Sequence, residues 1–161
     1  MRSLASALYS IAVAAWVGGL LAIGFIAAPV VFAQIADRSV AGNLAGAMFT
    51  VTAWVGLACG TYLILFVIFA KGWRAINSVV FWIVLLMLAL TVAGHFGVQP
   101  ILEQLKADAL PRRIMESALR ERFTTWHGVS TALYLAQSLL GIALAILQER
   151  GRGRYSNSNS N

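Results

Sequence analysis

The sequence is poor in the groups on which soluble proteins depend. Its 161 residues include one cysteine, three prolines, two histidines and six acidic side chains. Only 11% of positions are charged, against roughly a quarter in an ordinary soluble domain. The single cysteine, Cys59, permits no intrachain disulfide, which excludes a disulfide-stapled secreted domain; within an apolar stretch it reads as a small buried hydrophobe. The placement of the charges excludes more than their scarcity does. No Asp, Glu, Lys or Arg occurs in 3–36, 39–70, 75–102 or 123–148, stretches of 34, 32, 28 and 26 residues. A spanning helix needs about 20 mostly apolar residues, so each stretch can cross a bilayer. The mean hydropathy of +0.79 agrees, and a soluble enzyme or nucleic-acid binder is excluded. The net charge of +6 is confined to short flanking segments, whose expected partners are anionic lipid head groups and not nucleic acid.

Runs this long fit helices, which satisfy their own backbone amides in hydrocarbon, and not the roughly ten-residue strands of a barrel. The fold predicted is all-α: an integral membrane four-helix bundle in one domain over 1–148, with spans at about 4–32, 44–69, 78–98 and 123–147. Arg2 followed by an apolar run resembles a signal peptide, but the run is more than twice the usual length of about 7–15 residues, so a retained first helix is expected. Residues 100–122 hold nine of the 18 charged side chains. Pro100 and Pro111 each suit the first turn of a helix, so two short helices are expected there, extending spans 3 and 4 or lying at the membrane surface. The polar 149–161 tail, rich in Gly, Ser and Asn, reads as disordered.

Lipid tails are as apolar as leucine, so helices in a bilayer associate through close packing of small residues. Span 1 carries Ser6, Ser10, Ala14, Gly18 and Ala22 at four-residue spacing, with Gly19 beside them; span 2 carries Gly42 with Gly46 and Gly56 with Gly60, and span 4 carries Gly141. These are the expected helix-packing positions, within one chain or between copies in a homo-oligomer or a larger membrane assembly. Trp73, Trp82 and Trp126 lie towards span ends, where aromatic belts form, while Trp16 and Trp54 lie deeper and are expected in the core. Lys and Arg divide evenly between the two sides, but five of the six acidic residues fall on the side opposite the termini. The orientation expected is both termini cytoplasmic, in a bacterial inner membrane.

Both histidines fall within apolar stretches, His95 near the end of span 3 and His127 near the start of span 4. Consecutive spans are antiparallel, so both imidazoles are expected at similar depth near the outer face. His127, Thr131, Tyr134, Ser138 and Gly141 recur at steps of four and three, which puts them on one helix face, flanked by Ser130 and Gln137. In span 3, Thr91, His95 and Gln99 align in the same way. Polar groups in a span face the bundle interior or a watery cavity, so the two stripes should meet, with Met48, Asn43 and Thr50 of span 2 nearby. Three readings of this cluster stay open. Neutral imidazoles hydrogen-bond neighbouring helices and hold the bundle in register, as in a small binding or scaffold protein. Alternatively His95, His127 and the soft Met48 thioether bind copper(I), or the two imidazoles ligate one haem b. The third reading is a small-solute or proton-coupled transport path, which imidazoles suit because they titrate near neutral pH.

No carboxylate lies within an expected span and no nucleophile stands beside a base, so no enzyme is expected. The runs Ala15-Trp16-Val17-Gly18-Gly19, Ala28-Pro29-Val30-Val31-Phe32, Ala41-Gly42 to Gly46 with Phe49, Val98-Gln99-Pro100-Ile101, and Arg122-Phe123 followed by Trp126-His127-Gly128-Val129-Ser130 form a recognisable set. Over residues 5–145 the chain resembles the transmembrane protein 205-like family, also catalogued as a domain of unknown function numbered 4149. The resemblance implies a four-helix integral membrane protein with no established reaction. Eukaryotic members are associated with resistance to platinum drugs and with vesicle trafficking, which leans towards metal handling. They need not have histidine at the position of His95, so the resemblance rests its weight on His127.

Overall fold

A computed structural model describes the backbone of residues 2–109 and 117–158 and the side chains of 4–107 and 118–149. Pro111 and the middle of the charged connection lie outside the described residues. Four helices are long and apolar enough to cross a membrane, Leu4–Gln34, Arg38–Asn77, Val79–Ala107 and Ala118–Glu149. The chain is an all-α membrane bundle, and the helices of spans 2, 3 and 4 continue past charges that bound their uncharged runs. Span 1 comprises α1 (Arg2–Ala22) and α2 (Ala28–Gln34), span 2 is α3 (Arg38–Lys71), span 3 comprises α4 (Val79–Val92) and α5 (Gln99–Ala109), and span 4 is α6 (Ser117–Ser158). Each span packs on its neighbours in sequence, and α6 closes the ring on α1. The α6 backbone stays helical to Ser158 although the composition from 149 on predicts disorder. Propagating an existing helix costs far less than starting one, and Gln148-Glu149-Arg150 are good helix formers.

Spans 1 and 3 each contain a π-helical turn, Ile23–Ala27 and Ala93–Val98. The Ala28 N–H bonds the Ile23 carbonyl and the Gln99 N–H bonds that of Gly94, five residues back instead of four. A proline follows each turn by two residues, Pro29 and Pro100. Proline has no N–H and its ring collides with the carbonyl four residues earlier, here Phe25 and Phe96; widening that turn accommodates it without ending the helix. Pro100 therefore does not begin a separate short helix. Span 3 runs straight through it, which places Glu103 and Lys106 on the membrane helix itself.

The turn into span 2 is held by Asp37, whose carboxylate accepts hydrogen bonds from the Ser39 N–H at 2.8 Å and the Val40 N–H at 3.3 Å. These are two of the four amides that a helix start leaves without a partner. Asp37→Ala is expected to cost about 1 kcal/mol, read as a lower unfolding midpoint in a fixed mild detergent.

The tightest packing lies in the half of the bundle nearer the N-terminus. Ala12, Val13, Trp16 and Val17 of α1 meet Leu63 of α3, Val84 and Met87 of α4, and Leu144 of α6. Trp16 is 1% exposed because Gly56 and Gly60 leave a groove for its indole. A β-carbon at Gly56 would lie 2.5 Å from Trp16 Nε1, and one at Gly60 would lie 2.8 Å from Trp16 Cη2. Gly141 likewise packs against Val17 and Met87. Two polar ties brace this end: Gln148 Nε2 donates to Ser10 Oγ at 2.9 Å, and the Tyr62 hydroxyl donates to the Ala5 carbonyl at 3.3 Å.

Other expected packing positions behave differently. A β-carbon at Gly18 or Gly19 would touch nothing within 4 Å, and Ala14, Gly18 and Ala22 are exposed, so the ridge from Ala14 to Ala22 faces away from the neighbouring helices of the chain. The inward face of α1 is the bulkier Ala12, Val13, Trp16, Val17 and Leu20 stripe. Gly42 and Gly46 receive not a helix but the Lys106 ammonium, 3.9 Å from either added β-carbon. Trp54, expected in the core, is 56% exposed and turned outward.

Candidate functional site

Beyond Trp16 the four spans enclose a cavity of about 490 Å³. Its walls come from one half of each helix: Leu20 to Phe32 of span 1, Gly42 to Ala53 of span 2, Leu90 to Lys106 of span 3 and Phe123 to Gln137 of span 4. Trp16 closes its inner end, and beyond Trp16 lies the tight core of Leu63, Met87 and Leu144. The cavity extends towards the turn at 35–37. In that half α2 packs on α3 while α5 packs on α6. Spans 1 and 4 are pinned at the head of this region by Tyr134, whose ring sits against Gly24 in the first π turn and whose hydroxyl donates to the Leu20 carbonyl. A glycine is required at position 24 because a β-carbon there would occupy the tyrosine ring.

The polar groups form two short chains on otherwise apolar walls. At the inner end Gln137 Nε2 donates to Thr91 Oγ1 at 2.7 Å, and the Thr91 hydroxyl donates to the Met87 carbonyl at 2.9 Å. Nearer the mouth His95 Nδ1 lies 3.1 Å from Gln99 Oε1, and Gln99 Nε2 donates to Thr50 Oγ1 and to Glu103 Oε1, the latter at 3.3 Å. The Thr50 hydroxyl donates to the Gly46 carbonyl at 3.0 Å. At the rim Lys106 Nζ donates to the Gly42 carbonyl at 3.1 Å. The His95 ring also meets Trp54 and Phe96 edge-on, with centroids 5.5 and 4.7 Å away.

The two predicted stripes do face one cavity. Thr91, His95 and Gln99 line it from span 3; His127, Ser130, Thr131, Tyr134 and Gln137 line it from span 4. Ser138 instead donates back to the Tyr134 carbonyl, and Gly141 belongs to the tight core. The imidazoles share the cavity without bonding to or stacking on one another among the described residues. His127 is exposed and stacks on Phe123 at 5.9 Å with ring planes 9° apart, while the Thr131 hydroxyl bonds its carbonyl. Met48 is not among the lining residues; its carbonyl accepts from the Thr52 hydroxyl. Among the described residues no three His, Cys, Asp or Glu side chains group as metal ligands would.

The sequence alone assigns Glu103 and Lys106 to the charged connection and so misses them as lining residues. The signal is present, because 95, 99, 103 and 106 continue the same stripe at steps of four and three. Trp16 is expected in the core, but not as the floor of a cavity.

A family model described as Domain of unknown function (DUF4149) matches residues 11–111. No curated protein and no solved structure matches the chain.

Proposed function

The chain belongs to the DUF4149 family, a domain of unknown function, and from that premise we propose that it is an integral membrane binding protein whose cavity holds a small apolar or amphiphilic molecule taken from the bilayer. The carrying observation is the cavity itself. At about 490 Å³ it falls within the usual range for small-molecule sites, roughly 300–1,000 Å³, and its mostly apolar walls with few convergent polar groups are typical of such sites. The closed core behind Trp16 favours binding over conduction, since a path across the membrane would have to pass Leu63, Met87 and Leu144, none of which has exposed surface. In the same proposal the protein is a transmembrane protein 205-like member of a bacterial inner membrane, with cytoplasmic termini and the mouth of the cavity outward.

Ala53 lines the cavity from span 2, where a large side chain can grow into empty space. Ala53→Trp is expected to leave the protein folded while abolishing saturable uptake of a lipophilic fluorescent probe by the purified protein in detergent. Unchanged uptake in a folded variant would place the probe elsewhere and remove the support.

A further inference from the structure

The direction of every hydrogen bond in the cavity can be fixed, because each chain ends on a group that only accepts. The Met87 carbonyl cannot donate, so Thr91 gives it its hydroxyl proton and must itself accept from Gln137. The Gln137 NH2 group therefore faces Thr91, and its Oε1 is left without a donor among the described residues. Gln137 is only 8% exposed. Among the described residues no fully enclosed side-chain nitrogen or oxygen lacks a partner, so this oxygen is reachable, and the cavity that Gln137 lines provides the access.

The second chain has the same logic. The Gly46 carbonyl takes the Thr50 proton, so Thr50 accepts from Gln99, which turns its NH2 group towards Thr50 Oγ1 and Glu103 Oε1. Its Oε1 then faces His95, which must carry its proton on Nδ1. In the neutral Nδ1–H tautomer Nε2 is an acceptor, and it has no donor among the described residues. The one cation of the lining, Lys106, stands at the rim on the Gly42 carbonyl.

We infer that the cavity selects a neutral amphiphile that carries a hydroxyl donor on its buried head, of the class of long-chain phenols and quinols, through Gln137 Oε1 and His95 Nε2. An anionic head at that depth would face two acceptors and no cation, and a head that only accepts would leave both lone pairs unsatisfied. A buried acceptor without a partner costs more than a hydrogen bond returns, so the donor itself sets the preference. The aromatic lining, Phe25, Phe49 and Trp16 among it, suits a ring.

This inference rests on the cavity being a binding site, and the test separates the two claims. Binding of 4-decylphenol, its methyl ether 4-decylanisole and decanoate is measured with the full-length protein in mild detergent, alongside folded Ala53→Trp as the blocked control. The phenol is expected to bind about tenfold more tightly than the ether, the equivalent of one hydrogen bond. The ratio should fall towards one in Gln137→Met and in His95→Leu, and either variant suffices if the other does not fold. Equal binding of phenol and ether by the wild type, or tighter binding of decanoate, would overturn the inference while leaving the cavity as a site. Equal binding of all three by wild type and Ala53→Trp would overturn the binding reading and the inference with it.

Discussion

Trp16→Ala lowers the unfolding free energy by about 3–5 kcal/mol, the usual range for truncating a large buried aromatic. In a bilayer the loss is mostly one of contact, since hydrocarbon surrounds the helices in either state. Trp16 joins the helices on either side of α1, through the groove at Gly56 and Gly60 and through the core around Met87 and Leu144, so its removal loosens the whole closed half. The glycine groove gives the reciprocal result. Gly56→Ala alone forces its β-carbon against Trp16 and costs about 1–3 kcal/mol. Its three nearest neighbours are all atoms of Trp16, so the same change in the Trp16→Ala background should cost nothing. A double-mutant cycle by chemical unfolding in one detergent measures this coupling directly. Gly18→Ala and Gly19→Ala meet nothing within 4 Å and should be neutral or slightly stabilising, because alanine suits a helix better than glycine.

That contrast shows what the sequence could and could not disclose. The spans are legible because hydrocarbon tolerates almost no charge, and four uncharged runs of 26 residues or more fit a bilayer and little else. The two polar stripes are legible because spacings of three and four fix a shared helix face whatever the partner is. A glycine pair carries no such information. Gly56 with Gly60 holds an indole and Gly42 with Gly46 holds an ammonium, yet the motif reads alike in both, and Gly18, also in a four-residue ridge of small residues, meets nothing in this chain. Trp54 misleads for a related reason. Its position in the run gives depth along the membrane normal, whereas burial depends on the angle around the helix axis. Reading span 3 as ending at its first charge and at Pro100 separates Glu103 and Lys106 from a site they line, because a π turn carries the helix past both.

The second large effect concerns access. Ser130 lines the cavity in its open half and is partly exposed, whereas Leu144 lies wholly buried in the closed half of the same helix. A cysteine placed at each position, in a Cys59→Ala background, should therefore differ in reactivity by orders of magnitude towards a small, charged, membrane-impermeant thiol reagent. Ser130→Cys faces the cavity and the solvent at its mouth; Leu144→Cys faces only Trp16 and its neighbours in the core. The protein reconstituted into sealed vesicles, with reagent added first outside and then inside, converts this difference into a test of sidedness.

The labelling rate of Ser130→Cys from each face, with and without saturating 4-decylphenol, is the most direct test of a blind, ligand-filled cavity. The predicted result is modification from one face only, strongly slowed by the phenol. Modification at similar rates from both faces, or a rate that saturating phenol leaves unchanged, would contradict it.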